Sequence, residues 1–158
     1  MFTNINREEV LKLYSLYKTG EYDIFFRHYD DFLNLDEFTQ TLGGFKWLVT
    51  EEGFISLNIE AKSKLCIISI LLYKEYQSKG IGLKTMMEIG KYLFSNGIER
   101  LVVLVVEEDT HTVKMCIEGG FDKEGTYINS CKINGLTNEI RFGISKEKFE
   151  ELYGGQNG

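Results

Sequence analysis

This chain predicts an α/β fold built on a mixed sheet, and three observations predict it. Cys66–Tyr73 and Leu101–Val106 are apolar on both faces, the pattern of strands covered from above and below. Between them Leu83, Met86, Met87, Gly90, Leu93 and Phe94 recur at helical spacing, and Asn96-Gly97 stops the helix. Strand, helix and strand in that order make a right-handed crossover with parallel strands. Shorter runs bounded by tight turns lie on either side, so the rest of the sheet is expected to pair as hairpins.

The remaining elements follow in order. Asn6 before Arg7-Glu8-Glu9 is an N-cap with acids in the first turn. Val10, Leu13, Tyr14 and Tyr17 share a helical face, and Gly20 ends that segment. Glu21–Asp31 is aromatic and acidic and has no clear period. Asn34 or Asp36 starts a second helix with Phe38 and Leu42 facing inward, and Gly43-Gly44 stops it. Phe45–Thr50 reads as a strand, Glu51-Glu52-Gly53 as a turn, and Phe54–Glu60 as the returning strand. Past Val106, Asp109 or Thr110 caps a short helix carrying Val113, Cys116 and Ile117, ended by Gly119-Gly120. Gly125–Ile133 and Asn138–Ser145 are late strands joined near Asn134-Gly135, and Lys146–Tyr153 is a closing helical turn.

The length of 158 residues suits one domain, and nothing in 1–158 reads as a linker, a repeat or a low-complexity tract. Proline is absent, so turns rest on Gly, Asn, Asp and Ser. Three cysteines, Cys66, Cys116 and Cys131, cannot all pair and show no C-x-x-C spacing, which suits a reduced, cytoplasmic setting. The longest apolar run, Leu65–Tyr73, is too short for a membrane helix, and the first residues lack a signal-peptide stretch. A net charge of −6 leaves no basic stripe for a phosphate backbone, so nucleic acid is not an expected partner. The acidity is concentrated: residues 1–45 hold four bases against eight acids. A solvated helix face explains that, and so does a negative rim that attracts a cationic substrate.

The segment with the most chemical content is Gln77-Ser78-Lys79-Gly80-Ile81-Gly82. A Gly-x-Gly pair alone says little, but this one follows a buried strand and opens an amphipathic helix. First-turn amides there have no helical partner, and the helix dipole adds about half a positive charge. Glycine lets an anion approach without a Cβ in the way, which makes a phosphate cradle. A Walker motif needs Gly-Lys-[Ser/Thr], whereas Leu83 follows Gly82. A Rossmann fingerprint needs a third small residue where Thr85 stands.

Gln77-x-x-Gly80-x-Gly82 resembles the [Arg/Gln]-x-x-Gly-x-[Gly/Ala] motif of the GNAT-type N-acetyltransferases. Leu71-Leu72-Tyr73-Lys74-Glu75-Tyr76 is similar to that family's strand end, and Asp109–Phe121 to its late helix ending in Gly-Phe. The resemblance covers Lys64–Ser145; residues 1–45 lie where the family varies and builds its acceptor site. It implies a GNAT fold, with a mostly antiparallel sheet, a central parallel pair splayed for CoA, and helices on both faces. It implies acetyl-CoA, or another acyl-CoA, as donor and no metal. The amides of Lys79, Gly80, Ile81, Gly82, Leu83 and Lys84, with Ser78 beside them, would hold the pyrophosphate. The backbone of Ile70, Leu71 and Leu72 would pair with the pantetheine arm, and Gln77 would support the loop or touch phosphate. Asp109 stands at the family's asparagine, on the cofactor side. The acceptor would be a small-molecule or peptide amine, and a homodimer through the late strands fits the family pattern.

Removing a proton from a lysine-like amine at pH 7 costs about 4–5 kcal/mol, so a positioned base is useful. Glu107, just past the buried strand, is the first candidate; Glu108 and His111 follow, and each also reads as an ordinary group beside a helix N-terminus. His28, in the acidic segment, reads as structural. Where the family often supplies a tyrosine to protonate the leaving thiolate, this chain has Cys116. A thiol is a weak donor; Tyr127 on the next strand is the alternative. Two other readings stay open: a GNAT-fold module that binds acyl-CoA and transfers nothing, and a nucleotide-binding regulator using Gly80 and Gly82.

Overall fold

The computed structural model describes residues 5–154. Helices α1 (Arg7–Thr19) and α2 (Leu35–Leu42) precede the strands β1 (Lys46–Val49), β2 (Gly53–Glu60) and β3 (Leu65–Leu72). A 3-10 turn (Lys74–Tyr76) leads into α3 (Ile81–Ser95), then β4 (Arg100–Val106), α4 (Thr110–Glu118), β5 (Asp122–Lys132), β6 (Leu136–Ser145) and α5 (Lys146–Tyr153). The six strands form one sheet in the order β1-β2-β3-β4-β6-β5. β3 and β4 are parallel and every other neighbouring pair is antiparallel.

Strand alternation sorts the apolar side chains into two cores. On one face Cys66 and Ile68 of β3, Leu101, Val103 and Val105 of β4, and Ile140, Phe142 and Ile144 of β6 are buried. Met86, Ile89, Leu93 and Phe94 of α3, Cys116 of α4 and Phe149 of α5 pack on them. On the other face Val10, Leu13, Phe38 and Leu42 of α1 and α2 pack over Trp47, Phe54 and Leu71. Those two helices cover the β1–β3 half of their face. Segment 20–33 between them, the part with no legible period, folds as consecutive turns that bury Phe26.

Asparagine caps fix both early helices. The Asn34 side chain accepts from the Glu37 amide at 2.9 Å, and the Glu37 carboxylate accepts from the Asn34 amide at 3.1 Å. This capping box sets α2 so that Phe38 and Leu42 enter the core. Asn34→Ala is expected to lower stability by about 1 kcal/mol, read from urea unfolding; an unchanged midpoint would mean that packing alone holds α2.

Three elements start earlier than the sequence-based expectation by more than one residue, among them β6, which begins at Leu136 rather than Asn138. β5 starts at Asp122 rather than Gly125, because an edge strand with exposed residues over Asp122–Asn129 shows no apolar alternation. α3 starts at Ile81, one turn's fraction before the first residue of its apolar stripe.

Candidate functional site

The parallel pair β3–β4 is in register only at Leu65/Arg100, Cys66/Leu101 and Ile67/Val102. Beyond that point β3 stays on β2 as far as Leu72, and β4 stays on β6 as far as Val106. The two strands therefore part, and a wedge opens between Ile68–Leu72 and Val103–Val106.

Hydrogen bonds show which backbone groups line the wedge. The Tyr73 amide donates to the Glu52 carbonyl at 2.9 Å. An antiparallel ladder alternates, so Leu71 bonds with β2 while Ile70 and Leu72 turn toward β4. The Glu107 amide donates to the Asn138 carbonyl at 3.0 Å, which by the same alternation turns Leu104 and Val106 toward β3. Three carbonyls of this edge are satisfied from outside the ladder. Leu72 accepts from Gln77 Nε2 at 2.9 Å, Val106 from the Asp109 amide at 2.9 Å, and Leu104 from Arg27 Nη2 at 2.8 Å. The amides of Leu104 and Val106 and both groups of Ile70 have no strand partner in the register. A missing strand's worth of hydrogen bonding faces the gap.

The loop after β3 turns through two left-handed residues, Ser78 (φ 59°) and Gly80 (φ 76°). Gly80 is the N-cap of α3 and no side chain caps that helix, nor is there an acid in its first turn. In contrast, α1, α2, α4 and α5 each carry a side-chain cap from Asn6, Asn34, Asp109 and Ser145. The Ile81, Gly82 and Leu83 amides are thus left to an external acceptor. A Cβ on Gly80 would meet nothing within 4 Å, whereas one on Gly82 would come 3.1 Å from Met115 Sδ. Gly80 opens the backbone to solvent; Gly82 lets α3 pack closely on α4. Ser78, Lys79 and Lys84 are exposed. A groove of about 590 Å³ runs from Gly80 along α3 past Leu83, Lys84, Met87, Glu88 and Lys91.

At the wedge's mouth the candidate acids and bases are spread out. Glu107 is exposed, and its Oε2 accepts from Asn138 Nδ2 at 2.9 Å. Glu108 accepts from the Thr137 hydroxyl, which with its own backbone amide holds the carboxyl below the usual range. Asp109 caps α4 through the Thr112 amide and hydroxyl, at 3.3 and 2.7 Å. His111 is exposed in the first turn of α4. Cys116 is 2% exposed in the core, where burial, with Asp109 nearby, pushes its thiol up to about 12. Tyr127 is half-exposed on β5, across from Glu139 of β6. It stands two strands from the gap.

One cluster joins His28, read from sequence as structural, to residues that the sequence did not single out. Glu139 is 1% exposed inside β6 and accepts from Arg27 Nε (2.7 Å), His28 Nε2 (2.9 Å) and Ser130 Oγ (2.8 Å). Arg27 also donates to the Ile24 and Leu104 carbonyls. Segment 20–33 is thereby tied across the wedge, since Tyr22 accepts from the Lys74 amide at its other side, just past β3. The sequence carried no local signal for this cluster, because Glu139 alternates with Thr137 and Arg141 on the polar side of β6, opposite Ile140, Phe142 and Ile144.

The sequence model of the acetyltransferase (GNAT) family matches residues 7–119. The chain belongs to that family. Membership makes this GNAT protein an acyl-CoA-dependent N-acetyltransferase by class. No curated protein matches it in sequence. Among solved structures, the GNAT chain is similar to spermidine N-acetyltransferase from Vibrio cholerae in complex with CoA and spermine. The TM-score is 0.79 at 17% identity, covering 94% of this chain and 96% of the other. A dodecameric structure of the same enzyme, in an intermediate state, superposes at TM-score 0.77 and 18% identity, covering 99% and 98%. At these identities the likeness concerns the fold, including the parallel pair at the centre of its sheet.

Proposed function

We propose that the protein transfers an acetyl group from acetyl-CoA to a primary amine of a small cationic molecule, by direct attack within a ternary complex. The observation that carries this reading is the coincidence of two backbone features. The uncapped amides of Ile81, Gly82 and Leu83 sit next to an open strand edge on Ile70 and Leu72. A diphosphate fits the first and an extended amide-bearing chain fits the second. The groove along α3 leaves room for the nucleotide end, with Lys84 and Lys91 on its walls. When bound, the thioester supplies an activated acetyl group; the protein's own groups position and polarise it. The free amides of Leu104 and Val106 point into the wedge, where they offer donors to an oxygen that gains negative charge.

Acids gather at the ends of both central strands: Glu75 follows β3, and Glu107 and Glu108 follow β4. Segment 20–33 adds Glu21 and Asp23, with Glu21 3.8 Å from Lys74. Such a rim favours a cation at the mouth, and Glu107, exposed just past the end of β4, is the carboxylate to which we assign the ammonium group. Polyamines are the class to test first, because the similar enzymes act on spermidine. No step is given to Cys116 or Tyr127. A thiolate with an ordinary pKa near 8.5 leaves at a cost of roughly 2 kcal/mol at pH 7 without a dedicated acid.

Purified protein with acetyl-CoA, a thiol reporter and a panel of spermidine, spermine, an amino sugar and a lysine peptide tests the reading. Thiol release is expected, strongest with the polyamines. The buried thiol at the family's tyrosine position supports one rival, a module that binds CoA without transfer. A CoA-dependent rise in Tm with no thiol release from any amine would decide for that rival.

A further inference from the structure

An ionised carboxylate only accepts hydrogen bonds. The 2.9 Å contact between His28 Nε2 and Glu139 Oε2 therefore places the proton on Nε2. In the neutral ring the lone pair then lies on Nδ1. Half of the His28 side chain is exposed, so the ring has a buried, tethered edge and an open one. Its location matters. Glu139 lies across from Val106, the last residue of β4, and Arg27, next in the chain, reaches the Leu104 carbonyl on the edge of the wedge.

We propose that His28 is the base that takes the proton from the acceptor ammonium, held and oriented by Glu139. This rests on the acetyl-transfer reading above, and leaves Glu107 to attract the cation. An imidazole is ordinarily about two pK units more basic than a glutamate, and a carboxylate partner stabilises the imidazolium as it forms. On the tethered side of the ring stands Glu139 of β6, itself paired with Arg27, and Cys131 of β5 and Glu108 after β4 lie close to that pair. The step balances. An N–H bond of the ammonium breaks and its proton moves to Nδ1. The freed electron pair attacks the thioester carbon, a C–N bond forms and the C–S bond breaks. The new amide nitrogen loses its second proton to water, and the imidazolium returns its own to the CoA thiolate.

The test is steady-state turnover of acetyl-CoA with spermidine from pH 5.5 to 9, for wild type and His28→Gln, with Tm and the CoA-induced Tm shift measured alongside. Glutamine keeps a donor for Glu139. The variant is expected to hold its Tm and its CoA shift, to lose roughly 10²–10⁴-fold in kcat, and to lose the acidic limb of the kcat/KM profile. Added imidazole is expected to restore part of the rate to His28→Ala. A His28→Gln enzyme with wild-type kcat and an unchanged acidic limb overturns the assignment while acetyl transfer stands. So does a loss of rate matched by losses of Tm and CoA shift, which marks a structural role. A wild-type protein that acetylates no amine removes the transfer reading itself, and this assignment with it.

Discussion

Gly80→Asp is expected to abolish CoA binding while leaving the fold in place. The argument has two halves. Gly80 adopts φ 76°, and a Cβ there meets nothing within 4 Å. Aspartate is among the residues that tolerate the left-handed region best, so the conformational cost is about 1 kcal/mol and no packing is lost. Its carboxylate would stand beside the amides of Ile81, Gly82 and Leu83, which no side chain occupies. There it competes with, and repels, a diphosphate. CoA at a hundred times its Kd should raise the stability of the wild-type protein by about 2.7 kcal/mol; the variant should show none of that rise. Thermal melts of both proteins, with and without CoA, measure it. A variant that still shifts fully would mean that these amides are not the diphosphate site, and a nucleotide that shifts the wild type as strongly as CoA would favour the regulator reading.

How much of this was legible depends on the range of the interaction. The crossover β3–α3–β4 was legible because it rests on local periodicity: two runs covered on both faces, and one apolar helical stripe. Gln77 and Gly80 were legible because the loop that they build is six residues long. The burial of Cys116 follows from its place on the inner stripe of α4, three residues after Val113. The start of β5 was not legible, since Asp122–Asn129 is exposed and hydrogen bonding to β6 alone makes it a strand. Least legible was the link between Arg27 and Glu139, which are 112 residues apart. No window of sequence holds both ends of that contact. Arg27 sits among aromatics in a segment without a period, and its partner reads as one more residue on the polar side of a strand. The extent of the wedge was likewise hidden, because the point at which two parallel strands separate is set by what each pairs with on its outer side.

The same pair gives the largest expected effect on stability. Glu139→Ala is expected to cost about 3–5 kcal/mol at pH 7, because it leaves a buried guanidinium without its counter-charge. The Arg27 side chain is 9% exposed and that of Glu139 2%, so water cannot replace the lost partner. Glu139→Gln keeps the volume and an acceptor for Arg27, and should cost less. The pH dependence follows from the carboxyl's environment. Burial works to raise its pKa, but hydrogen bonds from His28, Ser130 and Arg27, with the Arg27 charge, outweigh burial and hold it below the ordinary 4.5. A depressed carboxyl contributes stability above its unfolded value and loses that contribution as pH falls through its folded value. Wild-type stability from this group should thus be complete at neutral pH and decline below about pH 4.5. Urea unfolding at pH 7 and pH 3.5 checks both claims: the gap between wild type and Glu139→Gln should narrow at the lower pH. An alanine variant within about 1 kcal/mol of wild type at pH 7 would show that the pair is worth no more than a surface ion pair. Segment 20–33 would then be held over the wedge by its aromatic packing on α1 and α2 rather than by this contact.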